Sequence, residues 1–110
     1  MWPEGEEPKR YDWEVGSMII PPNMWFHQHF NTGTTPARYL AFKYEGVAIR
    51  NAQGVPKAWI SRRIGGDQID YADESNEVRT IFADALAKNG LASNMAIAYE
   101  AEKDDLPAKA

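Results

Sequence analysis

The first two thirds of the chain carry short runs of strand-forming residues cut off by turn residues. "DWEVGSMIIP" (12–21) is rich in strand formers and ends where Pro21 and Pro22 stand together. "MWFHQHFN" (24–31) alternates large residues and leads into "TGTTP", which has turn composition. "ARYLAFKYEG" (37–46) and the shorter "VAIRNAQG" (47–54) follow, each stopped by glycine. "PKAWISRRIGG" (56–66) reads as another strand, and "DQIDY" (67–71) as one more. The period then changes. In "DESNEVRTIFADALAKNG" (73–90) Val78, Ile81, Phe82, Ala85 and Leu86 recur at helical spacing. Asp73 or Ser75 can cap its start, and Lys88-Asn89-Gly90 supplies a stop. The pattern predicts a mainly β fold, a sandwich or barrel, with one C-terminal amphipathic helix.

Length and composition narrow this. With 110 residues, 44% of them hydrophobic, the chain suits a single domain, expected over 1–100, with the charged "EAEKDDLPAKA" (100–110) ending in a flexible tail from 101. A net charge of −4 argues against general binding to nucleic acid or to an anionic membrane surface. No apolar run approaches the length of a membrane span, and "MWPEGEEPKR" has no apolar signal core. There is no cysteine, which removes disulfides, thiolate metal ligands and a catalytic thiol.

The candidate chemistry sits in "MIIPPNMWFHQHFNTG" (18–33), which holds both histidines of the chain. On a strand, Trp25, His27, His29 and Asn31 share one face, and Phe26, Gln28 and Phe30 the other. Two imidazoles on one face can meet one ion, and neutral imidazole suits zinc, copper, iron or nickel. Spacing alone leaves a metal site and two ordinary hydrogen-bonded histidines equally open.

The stretch from Gly16 to Asn31, "GSMIIPPNMWFHQHFN", resembles the second motif of the cupin superfamily, G-x5-P-x-G-x2-H-x3-N, with Met24 at the position of the second glycine. The later stretch "TTPARYLAFKYEG…SRRIGGDQIDYADES…VRTIFADALAKNG" is similar to the C-terminal part of larger bacterial cupins, so the resemblance spans most of residues 10–91. It implies a compact jelly roll with His27 as a metal ligand, and His29 lies on the same face. The first cupin motif, which brings two more histidines and a glutamate, has no counterpart before Gly16. The resemblance therefore implies a truncated barrel, and a homodimer in which a second copy covers the open side.

For the remaining ligands, Gln68 is the leading candidate, with Asp67 and Asp70 as further options and water completing the site. Tyr44 is the candidate catalytic residue, and Trp25 a second redox-active or stacking group. Two histidines with oxygen ligands favour copper, with iron or manganese next. The chain resembles compact copper cupins that cleave cellulose oxidatively. That likeness implies a metal-dependent oxidoreductase acting on a polysaccharide with dioxygen or hydrogen peroxide, with Trp2, Trp13 or Trp59 stacking on sugar rings, and an extracellular setting. The alternatives are an iron cupin dioxygenase acting on a small organic substrate, a non-catalytic metal- or sugar-binding cupin, and an inert fragment stable only as a dimer.

Overall fold

The computed structural model describes residues 1–43 and 48–109, and its regular structure is helical. The expected jelly roll is not there. Among the described residues no strand or sheet forms, and the pairing between extended segments is limited to isolated bridges at Trp2 and Phe26, Arg50 and Pro56, and Ser61 and Gln68. The physical reason lies in what strand propensity measures. Valine, isoleucine and aromatic residues favour strands because they fit a pleated surface supplied by neighbours. Without a neighbouring ladder, the same residues remain in irregular chain, punctuated here by Pro21-Pro22, Pro36 and Pro56.

The chain falls into two compact units. The first comprises Met1–Pro36 and Asn76–Ala92. Its centre is helix α1, Asn76–Lys88, which buries Val78, Ala85 and Leu86. These positions lie on one face at helical spacing, as the sequence pattern requires. The helix ends in a Schellman arrangement. Leu91 N–H donates to the Leu86 carbonyl and Gly90 N–H to that of Ala87, both at 3.0 Å, with Gly90 at φ 68°. The loop after the histidines is pinned to this helix end, because the Asn89 amide donates to the Thr32 carbonyl at 2.7 Å.

The second unit comprises Ala37–Ser75 and Ser93–Ala110. Where the strands "PKAWISRRIGG" and "DQIDY" were expected, three 3₁₀ turns stand instead: Lys57–Trp59, Arg62–Ile64 and Tyr71–Asp73. The Ser61 hydroxyl accepts from Arg63 N–H, which starts the middle turn, and Gly65, at φ 89°, ends it. Gly66 is held against Ile60, where an added Cβ would fall 1.8 Å from a backbone oxygen. Side-chain capping and two glycines thus override strand propensity over this segment. A second helix, α2, spans Ala96–Lys103, beyond the single helix expected. Glu102 on α2 accepts from the N–H groups of Tyr71 and Ala72 at 3.0 and 2.9 Å, and Tyr99 packs edge-on against Tyr71. The backbone amides at the start of the third 3₁₀ turn are thereby satisfied by a carboxylate.

Candidate functional site: the His27–His29 pair

The segment 26–31 alternates as an extended chain should. Phe26, Gln28 and Phe30 are half-buried, and His27, His29 and Asn31 are exposed. Two aromatic contacts fix the inner face. Trp2 and Phe26 exchange both backbone hydrogen bonds, at 3.0 and 2.9 Å, with ring centroids 5.8 Å apart. Phe30 stacks on Phe82 of α1 at 4.5 Å. The outward face between these anchors carries the two imidazoles.

Their ring centroids are 5.9 Å apart and the planes meet at 70°. An imidazole nitrogen binds zinc at about 2.0–2.1 Å, which puts two rings on one ion roughly 5–6 Å apart, centroid to centroid. The observed separation fits that range. His27 Nδ1–H faces the Trp25 carbonyl at 3.4 Å, a long hydrogen bond that favours Nε2 as the nitrogen carrying the lone pair. His29 has its pKa lowered, first by burial and then by the neighbouring His27 and the chain's amino terminus. Its ring is therefore neutral, the form that binds a metal, further into the acid range than an ordinary imidazole.

Asn31, on the same face as the pair, is committed to its own loop. The Asn31 side chain accepts from Gly33 N–H at 3.0 Å and donates to the Thr35 carbonyl at 2.9 Å, so it shapes the loop. Among the described residues no group of three or more histidine and carboxylate side chains converges on one point.

The remaining candidates are distributed as follows. Gln68 belongs to the second unit, is exposed, and its amide donates to the Ile69 carbonyl at 3.2 Å. Asp67 pairs with Lys57 at 3.3 Å, and Asp70 accepts from the Ser61 hydroxyl at 2.5 Å. Tyr44 lies outside the described residues. Trp59 is exposed, whereas Trp2, Trp13 and Trp25 are half-buried.

A polar cluster in the second unit had no counterpart in the sequence reading. Arg63 grips Asp73 with two hydrogen bonds, 2.5 Å from Nε and 3.0 Å from Nη2, and Lys109 Nζ approaches the same carboxylate at 2.9 Å. Arg63 Nη1 also donates to the Pro107 carbonyl at 3.2 Å, which draws the last residues onto the 3₁₀ turns. Arg63 and Lys109 hold the Asp73 carboxyl far below the usual carboxylate range. These residues, with Arg62 and Ile69, line a shallow concavity of about 450 Å³. Each inner charge there already has its opposite, so the cluster reads as a clamp on the chain end. The sequence signal for it, an arginine and an aspartate ten positions apart, becomes visible only once the turns between them are known.

Among the described residues no helix is long and apolar enough to cross a membrane. No protein family matches this chain, and neither does any curated protein or solved structure.

Proposed function

We propose that this chain binds copper through His27 and His29, and that oxidative chemistry at this open site is its activity. One observation carries the reading: two imidazoles stand 5.9 Å apart on the exposed face of a segment whose inner face is anchored by Phe26 and Phe30. Copper stands at the top of the divalent affinity series, so a site with few protein ligands favours it over iron or manganese. The ion would supply one-electron redox chemistry with dioxygen or peroxide at its water-filled positions. The chain's own part is to hold two neutral imidazoles at fixed separation. Phe26 and Phe30 set the backbone, and Trp25 directs the His27 tautomer. Cellulose is the first substrate to assay, on the likeness to compact copper cupins alone, since the chain carries no carbohydrate motif of its own.

A second reading is metal binding without turnover, which the exposure of both imidazoles supports equally. The copper-loaded protein, supplied with ascorbate and peroxide, separates the two readings. Oxidised oligosaccharides released from cellulose, and lost in both His27→Ala and His29→Ala, would support the oxidative enzyme. Stoichiometric copper without any turnover would leave a binding protein.

A further inference from the structure

We propose that Asn89 is a site of spontaneous covalent modification, deamidation through a ring closed with Gly90, and that the product frees the loop after the histidines from the end of α1. The chain has six asparagines, Asn23, Asn31, Asn51, Asn76, Asn89 and Asn94, and Asn89 alone is followed by glycine. The reaction needs the backbone nitrogen of the next residue to reach the side-chain carbonyl carbon, and a Cβ on that residue obstructs the approach. Gly90 has none, and its surroundings are open: a Cβ added there would meet no atom within 4 Å beyond its chain neighbours. Asn89 is exposed, so water reaches it. The Gly90 nitrogen bonds to Asn89 Cγ, the Cγ–Nδ2 bond breaks, and ammonia leaves with the proton of the attacking nitrogen. Water then opens the cyclic imide at either carbonyl, giving aspartate or isoaspartate at this position. Water is the only co-reactant.

The closed fold holds this reaction off, and its product cannot restore the closed contacts. Asn89 Nδ2 donates to the Thr32 carbonyl at 2.7 Å, which fixes the side chain. Gly90 N–H donates to the Ala87 carbonyl at 3.0 Å, which commits the attacking nitrogen to the helix end. Both bonds break when the last turn of α1 frays, and fraying ends are where local opening costs least. An aspartate then sets a carboxylate against the Thr32 carbonyl, two acceptors with no hydrogen between them. It also adds negative charge at a helix C-terminus, the unfavourable end for an anion. Isoaspartate routes the main chain through an extra carbon, which moves Gly90 and Leu91 off the carbonyls of Ala87 and Leu86. Either product unpins Thr32, and with it the loop that follows His29.

The test is to age the full chain in mildly alkaline buffer and follow it by peptide mass spectrometry and isoaspartyl methyltransferase labelling. Asn89 should convert at least about tenfold faster than any of the other five asparagines, the advantage of a neighbour without a Cβ. In urea it should convert about tenfold faster again, the protection of a fraying helix end rather than of global unfolding. Asn89→Gln keeps an amide but does not close the five-membered ring, and should abolish the label. The carbonyl-carbon resonance of Thr32 should move in the aged protein, and in Asn89→Asp, away from its position in fresh protein. The aged protein gives that readout independently of whether the variant folds. Conversion at another asparagine as fast as at Asn89 overturns the proposal. So does conversion at Asn89 that is as fast folded as in urea, or that occurs in urea alone. A Thr32 resonance unmoved by conversion overturns it as well.

Discussion

Phe30 and Phe82 stack face to face, with ring centroids 4.5 Å apart, and this contact fastens the histidine segment to α1. It joins a residue of an irregular segment to the best-formed helix of the chain, beside the buried Val78, Ala85 and Leu86. The exposed imidazoles therefore inherit their placement from an apolar contact on the opposite side of their own backbone.

Phe82→Ala should consequently do two things. It should lower stability by about 2 kcal/mol, less than the loss for a fully buried phenylalanine, because the ring is half-buried. It should also weaken copper binding at the proposed His27–His29 site, because Phe82 holds that segment through Phe30. Urea denaturation and copper titration check the two effects together. Leu86→Ala, in the core proper, should cost about 2–5 kcal/mol.

Met24 has φ 65°, a left-handed conformation that costs a residue with a Cβ roughly 1–2 kcal/mol. It is the third residue of a turn closed by Trp25 N–H donating to the Pro22 carbonyl at 3.2 Å, the position where a type II turn wants glycine. The side chain is exposed, so little packing is lost on removing it. Met24→Gly should raise stability by about 0.5–1 kcal/mol, after allowing for the freer unfolded chain of glycine. The measurement is the denaturation midpoint at unchanged slope.

Arg63 and Lys109 lower the Asp73 pKa well below its ordinary value of 3.8. A folded-state carboxyl held below its unfolded value stabilises the fold above the unfolded pKa, and that contribution is lost as pH falls through the folded one. The second unit should therefore weaken as acid is added below about pH 4. Asp73→Asn should lower the melting temperature at neutral pH and flatten the acid dependence, which thermal melts across a pH series will show.

The same linkage runs through His29, with a basic group in place of an acid. Its lowered pKa means that the unfolded chain takes up a proton first as pH drops below the ordinary 6.5. Stability should be indifferent to this group above 6.5 and fall as pH drops below it. The ring's proton resonance should titrate with a midpoint below 6.5, and His27→Ala should move that midpoint up, because one of the lowering charges is gone.

How much of this was legible in the sequence follows from which forces are local. Helix α1 was legible because its pattern and its stop belong to its own residues, from Val78 to Gly90. The alternation of buried and exposed side chains through Phe26–Asn31 was legible for the same reason. No sheet forms among the described residues, since strand formers such as those in "ARYLAFK" declare a preference that only neighbours can realise. Residues 56–71 looked like strands because Trp59, Ile60, Ile64, Ile69 and Tyr71 are strand formers. Capping at Ser61, the left-handed Gly65 and the close approach at Gly66 decided otherwise. Helix α2 was hidden by its charges. Its signs were the helix formers of "AIAYEAEK" and the Glu100–Lys103 pair, three residues apart and 2.6 Å in length.

Copper titration of metal-free protein, followed by electron paramagnetic resonance, tests the central proposal most directly. The expected result is one tightly bound copper per chain with hyperfine coupling from two imidazole nitrogens, reduced to one in both His27→Ala and His29→Ala, each with at least about tenfold weaker binding. Substoichiometric copper, or a bound-copper spectrum without imidazole coupling, would contradict it and leave His27 and His29 as surface side chains.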